Sequence, residues 1–266
     1  MTSTIYVNTP AIIFGFFLDI SYIFIYSYIN IKKYNGKINS IFIGIGGFFG
    51  SVFIEGLIIS LLSKLFGEKS FVITGLSLLF PGLFEETGRL LCFKYFLSKE
   101  KDKVTAISYG IGHGGFESFI VGISVLTNAF MKDALINQGV IKEDITFLTI
   151  SISAFERFVC VFIQISLSVI VFKAIREYNI KFYLLAIVLH DFIDFFAFLF
   201  HRNILPNIYV VELIIGLFSL LISRYAYKLY INLEDEMNPE IQNINDNALK
   251  ERNEMQNLND EDKVIN

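Results

Sequence analysis

Long apolar stretches, separated by short polar connections, make up most of the chain before residue 232. A helix that crosses a membrane needs about 20 largely apolar residues, and several stretches reach that length. The predicted spans cover 7–31, 39–65, 71–98, 104–130, 146–174, 182–201 and 207–230. The pattern therefore predicts an all-α fold, a polytopic membrane bundle of about seven transmembrane helices.

The composition supports the same fold class. The 266-residue chain is 54% hydrophobic and 18% charged, with a mean hydropathy of +0.57, whereas soluble domains are about 25% charged. It carries no basic stripe with interleaved aromatic residues, which argues against a nucleic acid partner. We expect a multi-pass protein of the cell membrane, in contact with membrane lipids.

Basic residues concentrate in every second connection between the predicted spans. They are Lys32, Lys33 and Lys37 after the first span, Lys99, Lys101 and Lys103 after the third, Lys173, Arg176 and Lys181 around the end of the fifth, and Arg224 and Lys228 in the seventh. Because such residues accumulate in cytoplasmic loops, the N-terminus is predicted outside and the C-terminus in the cytoplasm. Residues 1–232 form the predicted transmembrane domain, and the acidic, Asn-rich segment 233–266 is predicted to be a disordered cytoplasmic tail.

The third predicted span carries three charged side chains in the middle of an apolar run: Glu85, Glu86 and Arg89. An ionisable group at this depth costs roughly 2.5–3.5 kcal/mol on insertion, so such groups usually face the bundle interior and mark a functional site. The spacing lets Arg89 lie beside either carboxylate. The two glutamates point about 100° apart on a helix, so we expect them to have different roles.

Two later spans each contain a histidine followed four residues on by a carboxylate. These pairs are His113 with Glu117 and His190 with Asp194, and residues four apart share a helix face. Each pair suits two metal ligands, or a base and its orienting partner. At about 1.5 Å of rise per residue, both histidines and Glu85 lie at a similar depth near the middle of the membrane. We therefore predict that they converge in one buried polar cavity.

Other polar residues inside the spans allow more than one interpretation. Glu156 and Arg157 are adjacent in the fifth span, where they could lock helices together or contact a substrate. Asp19 and Glu55 are lone carboxylates in the first and second spans. They could support a central site or line a path for water or ions.

The chain resembles the YhfC family of intramembrane metalloproteases in four motifs that run from the third to the sixth span. The motifs are Glu85-Glu86-x-x-Arg89, Gly112-His113-Gly114-Gly115-Phe116-Glu117, Glu156-Arg157 and His190-x-x-x-Asp194. Their order is also similar to that of the CAAX prenyl protease and bacteriocin-processing superfamily and of PrsW-type proteases. In that superfamily the arginine comes one position later and the last residue is usually asparagine, where this chain has Asp194.

The resemblance implies an intramembrane peptidase with its core in 71–201, acting on membrane-associated peptides or proteins. The implied catalytic residues are Glu85, Glu86, Arg89, His113, Glu117, His190 and Asp194, with Glu156 and Arg157 in support. A zinc ion would be held by His113, Glu117, His190 and Asp194, and one of the two adjacent glutamates would be the general base. In a metal-free version, a glutamate and His113 would activate the water themselves.

Two other functional classes stay open from the sequence. Buried carboxylates and histidines also build the proton and ion paths of transporters. A non-catalytic binding or immunity protein could retain the same polar cavity without turnover.

Overall fold

A computed structural model describes residues 6–68, 70–138 and 144–233. Within these residues the chain is helical, apart from turns and an isolated bridge between Val7 and Ile145. The helices are α1 (Thr9–Tyr34), α2 (Ile38–Phe66), α3 (Phe71–Leu91), α4 (Val104–Phe130), α5 (Lys132–Asn137), α6 (Phe147–Arg176), α7 (Ile180–His201) and α8 (Ile208–Ile231). A π-helical turn, Cys92–Phe96, extends α3. The protein is an all-α membrane bundle, as predicted.

The long helices coincide with the predicted spans to within a few residues, and only the short α5 was not expected. Five of them are both long and apolar enough to cross a membrane: α1, α2, α6, α7 and α8. The other two long helices, α3 and α4, contain Glu85, Glu86, Arg89, His113 and Glu117. Both the number of spans and their orientation stay predictions. The part of the predicted tail that follows Leu233 is outside the described residues.

Local capping groups set the helix ends. The Ser70 side chain accepts a hydrogen bond from the amide of Ile73 at the start of α3. Thr146 and Thr149 form a reciprocal capping box at the start of α6. At the end of α1, Asn35 takes the left-handed conformation, with φ of 55°. These groups satisfy backbone donors and acceptors that a helix end otherwise leaves free.

Helix α4 packs closely against α1, α2 and α6 because glycines line its surface. A Cβ atom on Gly112 would lie 2.0 Å from the Ile41 carbonyl oxygen of α2, and one on Gly110 would lie 2.5 Å from the Ile165 Cα of α6. Small residues permit such close approach of helices in membranes. The glycines around His113 therefore serve helix packing.

Five helices form a closed ring around the polar residues: α2, α3, α7, α6 and α4 each pack against the next. Helix α1 lies outside the ring against α4 and α6, and α8 lies outside it against α6 and α7. One end of the ring is filled by apolar side chains, where the Phe93 ring packs against Tyr109 and Phe172. The polar residues lie next to this core.

Candidate active site

A hydrogen bond next to a proline joins α3 to α7, one turn before the charged residues. Pro81 lies inside α3, and proline disturbs the regular hydrogen bonds of a helix. The amide of the next residue, Gly82, donates a hydrogen bond to Asp191 Oδ1 of α7 at 3.0 Å. A Cβ atom at Gly82 would lie 2.2 Å from that oxygen, so only glycine leaves room for the contact. Asp191 thus has a structural role, beside the site.

Glu86 is a fully buried partner of an arginine and a histidine. Its Oε2 lies 3.0 Å from Arg89 Nη1, and its Oε1 lies 2.8 Å from His190 Nδ1 of α7. Glu86 and Arg89 both have 0% exposure. The arginine compensates the buried carboxylate, and the carboxylate holds the His190 ring in one orientation.

Glu85 lies between the two histidines. Its Oε2 is 2.9 Å from His113 Nε2 of α4 and 3.8 Å from His190 Nε2 of α7. Asp194 Oδ2 lies 3.6 Å from the same His190 nitrogen. The structure therefore brings four of the predicted residues together from α3, α4 and α7.

Glu117 does not join this group. Its Oε1 accepts a hydrogen bond from Arg157 Nη1 at 2.8 Å, and its Oε2 accepts one from Gln164 Nε2 at 2.9 Å. Among the contacts of the described residues, it forms no ion pair with either histidine. Glu117 shares a face of α4 with His113, as the spacing predicts, but its carboxylate is directed to α6. This geometry departs from the expectation that Glu117 shares a metal with His113.

Arg157 ties α6 to α4 and also holds its own neighbour. Its Nη2 donates to Glu156 Oε1 at 2.5 Å, while its Nη1 binds Glu117. Of the two interpretations of Glu156 and Arg157, the structure therefore supports the one in which they lock helices together.

The sequence suggested no role for Gln164, but in the structure its side chain joins two of the predicted site residues. Its Oε1 accepts a hydrogen bond from Arg89 Nη2 at 2.5 Å, while its amide donates to Glu117. The sequence signal is a spacing of seven residues, two helical turns, between Arg157 and Gln164. That spacing places both side chains on the same face of α6, toward α4.

The polar side chains differ in how far they are exposed. His113, Glu86 and Arg89 have 0% side-chain exposure, whereas Glu117 has 20% and Asp194 has 36%. The increase runs towards the C-terminal halves of α4 and α7. The polar residues are therefore least buried on the side where the C-terminal halves of α4 and α7 lie.

Asp19, a buried carboxylate of α1, lies apart from the histidines. Asp19 has 2% exposure, and its Oδ1 has no hydrogen-bond partner among the described residues. Ser118 of α4 donates to the Asp19 backbone carbonyl instead. Glu55 of α2 is half-buried. Neither carboxylate forms an ion pair with a histidine in the described parts of the chain.

Two donor atoms next to Glu85 lie at a separation that a zinc ion would allow. In the described ranges, no three His, Cys, Asp or Glu side chains already form a metal cage. Two ligands of a tetrahedral zinc lie roughly 3.4 Å apart when each is about 2.1 Å from the ion. The separations of 3.6 Å and 3.8 Å around His190 Nε2 are near this value. The contact of 2.9 Å between Glu85 and His113 is a hydrogen bond that would have to open. His190 and Asp194 therefore lie at a separation that a shared zinc ion would allow, and His113 could join them only if its contact with Glu85 opened.

The orientation of His190 supports this fit. A metal-binding histidine usually donates its other ring N–H to a carboxylate. His190 Nδ1 lies against Glu86, which leaves the Nε2 lone pair directed to Glu85 and Asp194.

Comparison with known proteins finds a family match and one distant relative. The family described as "YhfC intramembrane metalloprotease" matches residues 16–215. The "Uncharacterized membrane protein YhfC" of Bacillus subtilis (strain 168) is 26% identical over 216 residues, which cover 71% of this chain and 84% of that protein. No solved structure matches the chain.

Proposed function

The chain belongs to the YhfC intramembrane metalloprotease family, and we propose that it hydrolyses peptide bonds of membrane-associated peptides or proteins. The observation that carries this proposal is the position of Glu85. Its carboxylate lies 2.9 Å from His113 and 3.8 Å from His190, and the neighbouring Asp194 is partly exposed. A carboxylate between two histidines can activate a water molecule in an otherwise apolar setting.

Glu85 is the proposed general base. It accepts a proton from water while the water oxygen forms a bond to the carbonyl carbon of the scissile peptide. Without a metal, His113 is hydrogen-bonded to the same carboxylate and holds it in place; this hydrogen bond would open if the histidine bound a metal ion. The product of the step is a tetrahedral intermediate and a protonated Glu85.

Glu85 then acts as the general acid. Its proton passes to the leaving nitrogen as the carbon–nitrogen bond breaks. One product carries the new carboxyl group and the other carries the new amine. The carboxylate of Glu85 is thereby regenerated for the next cycle.

His113, His190 and Asp194 are the residues that would hold a zinc ion. When bound, zinc would polarise the peptide carbonyl and make a coordinated water more acidic. We place Glu117 outside this set because both of its oxygens already accept hydrogen bonds from α6. Glu86 instead orients His190, as carboxylates next to metal-binding histidines do.

The two arginines support the site without touching the reacting atoms. Arg89 donates to Glu86 and Gln164 from its two terminal nitrogens, so its guanidinium is directed to these two side chains. Arg157 is similarly occupied by Glu117 and Glu156. Their proposed role is to balance the negative charge of these carboxylates inside the membrane.

The test is a cleavage assay with the purified protein in liposomes, using a library of membrane-associated peptides and mass spectrometry of the products. We expect cleavage that is lost in Glu85→Gln and in His113→Ala. We also expect a chelator to abolish it and added zinc to restore it. Cleavage that persists in both variants would overturn the assignment. Liposomes that move protons or metal ions while every peptide stays intact would favour a transporter instead.

A further inference from the structure

We propose that Gln164 and Glu117 are positioning residues that hold Arg89, and through it Glu86 and His190, in the working geometry. The inference rests on the proposed function, because it concerns the same site. It adds two residues that exchange no proton in the proposed reaction, although the Gln164 side chain also contacts the proposed base Glu85. Their effect on the reaction is transmitted through a row of buried hydrogen bonds.

The row passes through four helices without a break. Arg157 of α6 holds Glu117 of α4 at 2.8 Å, and Glu117 accepts from Gln164 at 2.9 Å. Gln164 in turn accepts from Arg89 of α3 at 2.5 Å. Arg89 binds Glu86, which lies 2.8 Å from His190 of α7. Each member is thus fixed by a neighbour on either side.

The two ends of the Gln164 side chain are not interchangeable. A guanidinium has only donors and an ionised carboxylate has only acceptors. The amide therefore satisfies both neighbours in one orientation, with its oxygen toward Arg89 and its nitrogen toward Glu117. The reversed amide would place donors against Arg89 and an oxygen against the carboxylate of Glu117.

Burial makes this orientation persistent. Gln164 has 5% exposure and Arg89 has 0%, so bulk water does not compete for these hydrogen bonds. The stem of Gln164 also packs against α4, where a Cβ atom on Gly114 would lie 2.8 Å from the Gln164 Cβ. Gly114 directly follows His113 in the chain. Gln164 is therefore held at the same turn of α4 that presents this histidine.

A planar guanidinium transmits the constraint to Glu86. Arg89 uses one terminal nitrogen for Gln164 and the other for Glu86. Its plane is consequently set by both partners. Loss of the Gln164 contact frees the plane to rotate, and Glu86 and the His190 ring then lose their fixed position.

The experiment exchanges donor and acceptor between positions 164 and 117. Gln164→Glu removes the donor to Glu117 and places two carboxylates together. Gln164→Glu combined with Glu117→Gln keeps the net charge. It also restores a donor–acceptor pair, now with the donor at position 117 and the acceptor at position 164. The new carboxylate can accept from Arg89 and from the new amide at position 117, whose oxygen accepts from Arg157. We expect kcat to fall at least about tenfold in Gln164→Glu and to recover to within about threefold in the double variant.

Gln164→Asn provides a milder variant that preserves folding. It keeps the amide but is one methylene too short to reach both partners, so kcat should fall while KM and the melting temperature stay near wild type. The matched control is Ser166→Ala on the same helix, since Ser166 bonds the Phe162 carbonyl and Ser223, outside the row. This control should keep wild-type activity.

A spectroscopic readout separates this inference from the proposed function. ¹⁵N spectra of labelled histidine rings should show the His190 nitrogens changed in Gln164→Glu and restored in the double variant. These changes in the His190 signals are expected even if no peptide is cleaved. Absence of cleavage would count against the proposed function and not against the positioning role. Wild-type kcat in both Gln164 variants, or no recovery of kcat and of the His190 signal in the double variant, would overturn the inference.

Discussion

Glu85 and Glu86 are adjacent in the sequence, yet they hydrogen-bond to histidines of different helices. Glu85 lies 2.9 Å from His113 of α4, and Glu86 lies 2.8 Å from His190 of α7. Successive residues of a helix point about 100° apart, so one turn of α3 contacts two sides of the ring. The pair of carboxylates thereby sets the distance between the two histidines.

The adjacent glutamates should differ when each is changed to glutamine. Glu85→Gln removes the proposed base, so cleavage should fall by about 10²- to 10⁴-fold with little change in melting temperature. Glu86→Gln leaves the charge of Arg89 buried without its partner, which should cost about 3–5 kcal/mol of stability. Peptide cleavage and thermal melts in detergent, measured on both variants, check this contrast. Equal losses of stability in the two variants would contradict the assigned roles.

Arg157→Ala should destabilise the bundle. Glu117 and Glu156 would both lose their cationic partner, and breaking a buried ion pair costs about 3–5 kcal/mol. The matched control is Arg202→Ala, because Arg202 is exposed and forms no ion pair in the described parts of the chain, where it donates to the Thr74 hydroxyl and lies over the Phe198 ring. We expect the control to change stability by less than about 0.5 kcal/mol. Denaturant or thermal unfolding of both variants measures the difference in stability. A melting temperature of Arg157→Ala equal to that of the wild type would refute the prediction.

Two glycines of α3 should respond oppositely to a methyl group. In Gly82→Ala the new Cβ would meet Asp191 Oδ1 at 2.2 Å and the Ile187 carbonyl oxygen at 3.0 Å. Overpacking of this kind costs about 1–3 kcal/mol, and it should also separate Glu86 from His190 and lower cleavage. Gly75→Ala has no atom within 4 Å of the new Cβ, so it should melt at or above the wild-type temperature. If both variants behave alike, the α3–α7 contact is not closely packed.

The predicted orientation can be checked by cysteine labelling. Lys33→Cys and Asp133→Cys, in a background with Cys92 and Cys160 replaced by alanine, place single thiols at the end of α1 and in α5, which correspond to the first and fourth connections between the predicted spans. A membrane-impermeant reagent applied to intact cells should label position 133 and leave position 33 unlabelled. Labelling of both positions from the same side would show that the predicted topology is wrong.

The sequence alone predicted the helices and most of the residues that meet in the centre. Hydrophobic length predicts spans, and the four-residue spacing of His190 and Asp194 predicts a shared face. The separate partners of Glu85 and Glu86 could not be predicted, because the rotation of α3 about its axis depends on packing. That rotation is set in part by the Gly82–Asp191 contact. The direction of the Glu117 carboxylate was missed for a similar reason, since Gln164 and Arg157 on another helix determine it.

The five helices that are apolar enough to cross a membrane do not include α3 or α4. This has a consequence for biogenesis. During synthesis, α3 and α4 emerge before α6 and α7, which supply Gln164, Arg157 and His190. A nascent chain that ends before α6 therefore contains Arg89 and Glu117 without these partners, in helices that lipid alone does not accept readily. We expect the insertion machinery to keep α3 and α4 from lipid until the later helices arrive, so the candidate site is completed only when α7 has been inserted.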